Sequence, residues 1–431
     1  MPKNTPLNKV TSKDIRAEFP VFQEYPDLIY LDNGATTQKP DVMIKTLTEY
    51  YIKLNANVGR GSYNLAQFSD KAYSISKNKI AQFFNVSVDN TIFTSGATDS
   101  SNLAIHLIEE KLQSKINNSK SQRGKVVTSV LEHHSNFLPL QHLAKKLNFD
   151  FIVLDDLDVL SNPDLLPANF WNNVHVLSLT HVSNTTGRIL PIEQWVNLAH
   201  QHNVITIVDG SQAVSSKIID VGQINSDFYY FSAHKMYGPM GFGVLFISDT
   251  FKHSSPYKLG GGIVDYVTKN DYILTEGISR FEAGTPNVAS AFAFSAALDF
   301  FFNTSFLLKE QHELSNYLFN QLKDIETNDY KVHVLDKKER EINPQNFSSL
   351  MSFVILSKSP DERGLHSHDI GSYLTEYGIC VRFGQHCAHP LHTEYNISSS
   401  IRASLGIYNT KEDIDKFITT LKDGLNKFEN I

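Results

Sequence analysis

The chain has 431 residues, of which 41% are hydrophobic and 20% charged, so it can bury a large core and is not a disordered or low-complexity scaffold. Its 39 Lys and Arg stand against 46 Asp and Glu for a net charge of -7, with no basic block, which argues against a nucleic-acid partner. No apolar run reaches the roughly 18 residues of a membrane span, and residues 1–21 lack the apolar stretch of a secretory signal, so the expected location is the cytoplasm.

In chain order, Thr11-Ser12-Lys13-Asp14 has the form of a capping box opening a short helix that Pro20 ends. Residues 1–28 are therefore expected to form an arm that packs with a small C-terminal domain. Apolar runs of strand character follow at residues 91–94, 125–129, 174–179, 204–208, 228–231 and 243–247, with helical patterns between them. That alternation predicts an α/β domain over residues 29–298, with a mostly parallel sheet covered on both faces. Residues 113–125 and 336–345 read as solvated loops, and residues 288–302 as a long buried helix. The pattern restarts with strands at 353–356 and 378–383, which predicts a smaller α+β domain over residues 299–431. An amphipathic helix opened by Thr410-Lys411-Glu412-Asp413 closes it.

Ligands of such sheets gather at the carboxyl ends of strands, so three strand ends matter most. At the first, Ser95-Gly96-Ala97-Thr98-Asp99 opens a helix. Its main-chain N–H groups at Ala97 and Thr98, with the Thr98 hydroxyl, suit a phosphate, although an ordinary capped helix is the commoner reading of so short a motif. At the second, Asp209 either caps the next turn or offers a negative charge to a ligand, with Gln212 three residues on. At the third, Ser232-Ala233-His234-Lys235 faces a glycine-rich turn, and Lys235 is either a surface residue or an amine for a Schiff base. Taken together and in this order, the three supply what pyridoxal 5′-phosphate requires: a phosphate cradle, an anion for the pyridinium nitrogen, and an amine for the aldehyde.

The two cysteines cannot make a disulfide framework. Cys380, between Ile379 and Val381, reads as a core residue, whereas Cys387 lies in the polar loop Arg382 to Pro390, where neighbouring cations favour a thiolate. His386, Cys387, His389 and His392 are clustered, but their spacing matches no established zinc pattern, and no metal is expected. The tandem His133-His134 has an ordinary reading as polar loop residues.

These residues together resemble the pyridoxal-phosphate-dependent cysteine desulfurases of the SufS/CsdA type, in the class V aminotransferase-like family. The landmarks span nearly the whole chain: Leu31-Asp32-Asn33-Gly34-Ala35, Glu132-His133-His134-Ser135-Asn136, Thr180-His181-Val182-Ser183-Asn184, Val208 to Ala213, Ser232 to Lys235, Arg280 to Asn287, Arg382 to Pro390, and Arg402-Ala403-Ser404-Leu405. The form around Cys387 is similar to that of the second desulfurase group.

The resemblance implies a fold type I enzyme with a seven-stranded sheet that converts L-cysteine to L-alanine, sulfur passing to Cys387 as a persulfide. It implies that Lys235 bonds the cofactor, Asp209 pairs with its ring nitrogen, Gln212 reaches its phenolic oxygen and His133 stacks on the ring and assists proton transfer. The turn at Ala97 and Thr98 would hold the phosphate with Ser232 and His234, joined by Thr285 from the second subunit of a homodimer. Asn184 and Arg402 would bind the substrate carboxylate, with Arg382 near the substrate and Cys387. The implied acceptor is a SufE/CsdE- or SufU-type sulfur carrier serving iron–sulfur cluster or other sulfur-cofactor assembly.

Many relatives carry histidines immediately before and three residues after the arginine that is Arg60 here, where this chain has Gly59 and Tyr63. Ala97 and Asp99 replace the commoner Thr and Glu of the phosphate turn. The competing readings are a selenocysteine lyase, a kynureninase-like enzyme or aminotransferase of the same fold, and a non-catalytic partner of a sulfur carrier.

Overall fold

Short segments of the chain are apolar on both faces, and these segments make the sheet. The computed structural model describes residues 11–59, 61–116, 123–359 and 364–429; Arg60 and part of the 113–125 stretch lie outside them. The chain divides into two compact units: Met43–Ser183 with Ile189–Asp299, and Met1–Val42 with Asn184–Arg188 and Phe300–Ile431. Eight strands lead the chain order: β1 (Ile29–Tyr30), β2 (Thr91–Thr94), β3 (Lys125–Ser129), β4 (Asp150–Leu154), β5 (Val174–Thr180), β6 (Ile205–Asp209), β7 (Phe228–Ser232) and β8 (Gly243–Ile247).

In the larger unit, β2 to β8 form a seven-stranded sheet in the order β2-β8-β7-β6-β5-β3-β4. Only β8 runs antiparallel to its neighbours, so the sheet is the mostly parallel one expected. Every residue of β6 and β7 is buried, as strands covered on both faces require. The edge strand β4 was not anticipated: it pairs only with β3, and all five of its residues keep partial exposure. A short hairpin, β9 (Val264–Val267) with β10 (Tyr272–Leu274), completes the strands of this unit.

One buried acid ties the carboxyl ends of β3 and β5 to the helix His134–Leu147. Glu132 accepts hydrogen bonds from the Ser129 hydroxyl (2.6 Å), the Asn136 amide (2.6 Å) and the Thr180 main-chain N–H (2.8 Å). Burial pushes its pKa up to about 7 against the pull of those donors.

The smaller unit holds β11 (Tyr330–Val334), β12 (Leu350–Ser357), β13 (Ile379–Cys380), β14 (Arg382–Gly384) and β15 (Ser400–Ser404). Four of these form an antiparallel sheet, β11-β12-β15-β14, while β13 pairs in parallel with β1. The capping boxes at Thr11 and Thr410 are present, and the second opens the helix Lys411–Glu429 that covers this core with Ile414, Phe417, Ile418, Leu421 and Leu425. In the arm, Arg16 pairs with Asp413, and Phe19 packs edge-on against Tyr408.

Residues 29–42 and 184–188 belong to this unit, although the sequence reading assigned them to the domain spanning 29–298. Pairing explains it: β1 bonds to β13, the Ser348 N–H donates to the Gly187 carbonyl (2.8 Å), and the Ser352 hydroxyl donates to the Thr185 carbonyl (2.6 Å). The charged stretch 336–345 is not a loop but the helix Lys337–Ile342 and a following turn. There, Arg340 is fully buried because its guanidinium donates to the carbonyls of Leu350 and Ser348 and to the Ser315 hydroxyl. Residues 378–383 split between β13 and β14, and Cys380 is half-buried, with its thiol pKa raised by burial. Among the described residues no single helix is long and apolar enough to cross a membrane.

Two expectations follow from these buried charges. Arg188 makes a bidentate pair with Asp336 (2.5 and 2.6 Å), and both side chains are buried. Asp336→Ala leaves that guanidinium without its carboxylate and should cost about 3–5 kcal/mol, read from chemical denaturation of the whole protein. Folded Glu132 binds its proton up to about pH 7, whereas the unfolded chain releases it near the ordinary 4.5, so its contribution to stability falls as pH rises through that window. The stability advantage of the parent over Glu132→Gln should therefore shrink by up to about 3 kcal/mol between those pH values, measured by urea denaturation at each pH.

Candidate active site

In the larger unit, β6 delivers Asp209 to its carboxyl end. The carboxylate is buried and accepts the Ser211 main-chain N–H at 2.9 Å. Burial pushes its pKa up, while the Ser211 bonds and the charge of Lys235 pull it back. The strand end is held from both sides. His181 donates its main-chain N–H to the Asp209 carbonyl (2.9 Å), and its Nδ1 meets the Tyr229 hydroxyl at 3.1 Å. A Cβ at Gly210 would lie 2.3 Å from the Tyr229 ring, so only glycine lets that ring pass. Gln212 follows, buried, in the turn after β6.

Lys235 ends the short turn Ala233–Lys235 that continues β7, and is half-buried like His234. Ser232, at the end of β7, accepts the Ala97 main-chain N–H at 2.8 Å, which joins β7 to the first turn of the helix Ala97–Ile116. Gly243, opposite Ser232 across the β7–β8 pair, allows this closure: a Cβ there would meet Gly96 Cα at 2.5 Å. Thr98 is exposed in that same first turn. His133 caps the helix His134–Leu147, its Nδ1 accepting the Ser135 N–H at 3.1 Å. Thr285 is exposed and lines a cavity of about 340 Å³ with Ser95, Asp99 and Lys258. Glu282, three residues earlier, anchors its segment by accepting from Tyr73, Lys77 and the Phe93 N–H.

The geometry thus brings Asp209 near Lys235 and joins Ser232 to Ala97. A buried carboxylate needing a cation, an amine beside it and the N-terminus of a 20-residue helix fit pyridoxal 5′-phosphate at its ring nitrogen, aldehyde and phosphate.

The smaller unit gathers the remaining residues. Cys387 is exposed in the loop after β14, and both His386 (φ +51°) and Cys387 (φ +54°) occupy the left-handed region, which costs roughly 1–2 kcal/mol per residue. Arg402, on β15, is buried. It donates through Nη1 to the Asn184 carbonyl (2.9 Å) and through Nη2 to Asp32 (3.3 Å). Burial brings its pKa down to about 10, with Asp32 acting against that, so it stays cationic at neutral pH. Arg382 forks onto the same Asp32 carboxylate (2.7 and 3.1 Å). The Cys387 sulfur lies within electrostatic range of both guanidiniums.

Asn184 donates to the His386 carbonyl at 2.7 Å. Its Oδ1 and the Arg402 Nε are buried, and neither has a hydrogen-bond partner among the described residues. A stranded N–H donor on a buried cation is the complement of a carboxylate ligand.

Sequence reasoning missed the roles of Asp32, His181, Ser400 and His392. Asp32 carried a signal, a lone acid directly after an apolar strand-like run. Of the histidines clustered near Cys387, His389 is exposed, while His386 and His392 turn inward, each with its Nε2 3.0 Å from the Ser400 hydroxyl.

The chain matches the Aminotransferase class-V family over residues 29–417. It is 32% identical to a probable cysteine desulfurase of Vibrio cholerae serotype O1, covering 94% of this chain and 96% of that protein. Its identity to a cysteine desulfurase of Escherichia coli K12 is 33%, covering 95% and 97%. Among solved structures, the apo cysteine desulfurase of Thermococcus onnurineus NA1 superposes with a TM-score of 0.83 at 29% identity, covering 96% of this chain and 98% of that one. The cysteine desulfurase CsdA of Escherichia coli superposes with a TM-score of 0.80 at 29% identity, covering 97% and 99%. With its mostly parallel sheet, cofactor-type strand ends and cysteine loop, the chain belongs to the class-V aminotransferase family and, within it, to the cysteine desulfurases.

Proposed function

We propose that this protein is a pyridoxal-phosphate-dependent cysteine desulfurase that converts L-cysteine to L-alanine and takes the sulfur as a persulfide on Cys387. The observation that carries the reading is an exposed cysteine, held in left-handed backbone beside two arginines, in a chain that aligns nearly end to end with cysteine desulfurases.

Pyridoxal 5′-phosphate, when bound, supplies an electron sink for the substrate Cα. The residues that would hold it are Lys235 at the aldehyde, Asp209 at the ring nitrogen, Gln212 at the phenolic oxygen and His133 on the ring face. Ala97, Thr98, Ser232 and His234 would take the phosphate, with Thr285 from the second copy of a homodimer. Arg402 and Asn184 would orient the substrate by its carboxylate, which the stranded Arg402 Nε supports. The Lys235 Nζ would take up the Cα proton.

The Cys387 thiolate would then attack the substrate sulfur, with Arg382 offsetting charge beside it. An S–S bond forms as the C–S bond breaks, and the electron pair of that bond goes to carbon, which is protonated to the methyl of alanine. L-cysteine plus the Cys387 thiol thus gives L-alanine plus the Cys387 persulfide, with no outside oxidant. An exposed loop suits a sulfur that must meet both a substrate and an acceptor protein, here of the SufE/CsdE or SufU type in the cytoplasm, for iron–sulfur cluster or other sulfur-cofactor assembly.

The decisive measurement is mass spectrometry of the holoprotein after incubation with L-cysteine without reductant. The Cys387 peptide should gain one sulfur atom and the Cys380 peptide none. Cys387→Ala should lower alanine formation by on the order of 100-fold or more while keeping the cofactor's visible absorbance. Undiminished turnover of L-cysteine by that variant would refute the reading, and turnover of selenocysteine alone would make the protein a selenocysteine lyase.

A further inference from the structure

We infer that His386, Ser400 and His392 form a directional hydrogen-bond clamp that positions Cys387, with His386 as the positioning residue. The inference rests on the reading of Cys387 as the nucleophile.

The directions follow from what each group can donate. His392 Nδ1 lies 3.0 Å from the Ala388 carbonyl, which can only accept, so Nδ1 carries the proton. A neutral imidazole has one N–H, which leaves His392 Nε2 as an acceptor. Its partner is the Ser400 hydroxyl, 3.0 Å away, which must donate to it. Ser400 has then used its only hydrogen, and its oxygen accepts from His386 Nε2, also at 3.0 Å. His386 is therefore the Nε2–H form with a bare Nδ1.

An independent observation agrees: His386 Nδ1 is buried and meets no hydrogen-bond partner among the described residues. A lone pair left there is tolerated better than a stranded N–H would be. Burial lowers the pKa of both rings, at His392 against the pull of the Ala388 and Gly384 carbonyls, and at His386 with Arg402, His392 and Arg382 adding to burial against the Ser400 carbonyl.

His386 is thus pinned twice, by its ring to Ser400 on β15 and by its carbonyl to the Asn184 amide. The pins bracket a residue in left-handed backbone, and Cys387 is the next residue and also left-handed. Histidine enters this region more readily than most residues, but cysteine does not, so the loop keeps Cys387 there only while the pins hold. Releasing them lets the loop relax and carries the Cys387 sulfur out of register.

Glutamine places an amide N–H where His386 Nε2 lies, and asparagine does not. In the holoprotein, His386→Asn and Ser400→Ala should slow persulfide formation on Cys387 by about 10- to 100-fold, with unchanged KM for L-cysteine and unchanged cofactor absorbance. His386→Gln should recover most of that loss. Nitrogen-15 NMR of the histidine-labelled parent should show the proton on Nδ1 of His392 and on Nε2 of His386. Equal rates in all three variants, a change confined to KM, or a proton on His386 Nδ1 would each overturn the clamp. The NMR result stands even if the variants fail to fold. It also stands if the parent forms no persulfide, an outcome that would remove the desulfurase reading and not the clamp.

Discussion

Two anchors of the candidate site, Asp209 and Arg402, are charges buried in the protein interior and compensated there by specific partners. Asp209 is the clearest case: a carboxylate at the end of a fully buried strand, whose ionised form is opposed by its surroundings and supported by Lys235 and the Ser211 N–H. A lone buried anion of this kind has use for a cationic ring nitrogen, and the fold offers it one position, the carboxyl edge of the sheet. The same constraint works in the smaller unit with the sign reversed. There Arg402 is buried with Asp32 as its counter-charge, and part of its donor set remains unmatched by protein.

Sharing one carboxylate between two arginines has a chemical logic. Asp32 holds Arg382 and Arg402 in fixed orientation without neutralising both, since one negative charge faces two positive ones. Net positive potential is left over near Cys387. That surplus suits an anionic group such as a carboxylate in the same neighbourhood. Arg340 and the Arg188–Asp336 pair lie elsewhere in the unit: the two Nη groups of Arg340 are held by carbonyls and a hydroxyl, its Nε having no partner among the described residues, and Arg188 is held by a carboxylate.

Much of the fold was legible because the strands that carry the site are buried on both faces. Residues 228–231 and 204–208, the latter broken only by Thr206, lack alternation and are short and rich in aromatic or β-branched residues, as an interior strand requires, and each is followed by a polar residue of the candidate site. Edge and surface elements were less legible. In β4 every residue keeps some exposure, so its apolar run carried no interior signature. In the helix Lys337–Ile342 a run of charged side chains masked a buried arginine, because the groups that bind its Nη atoms lie outside the helix: the carbonyls of Ser348 and Leu350 just beyond it and the Ser315 hydroxyl on an earlier helix. Asp32 was opaque for the same reason: its partners lie some 350 and 370 positions away in the chain. Cys387 stood out by its polar loop, whereas Lys235 became legible only jointly with Asp209 and the turn at Gly96.

The single reversed strand of the sheet has its own effect on the site. Because β8 runs against β2 and β7, it enters the sheet at the edge where its neighbours leave it, and its first residue, Gly243, faces Thr94 on one side and Ser232 on the other. The breadth of the turn at Gly96 is then set by a strand that contributes no side chain to it. A methyl group added at Gly243 would press on the Gly96 backbone and on the Thr94 hydroxyl, and so on the turn that Ser232 holds. The spacing between Ser232 and that turn is in this sense encoded outside both, at a position where the only tolerated side chain is a hydrogen atom.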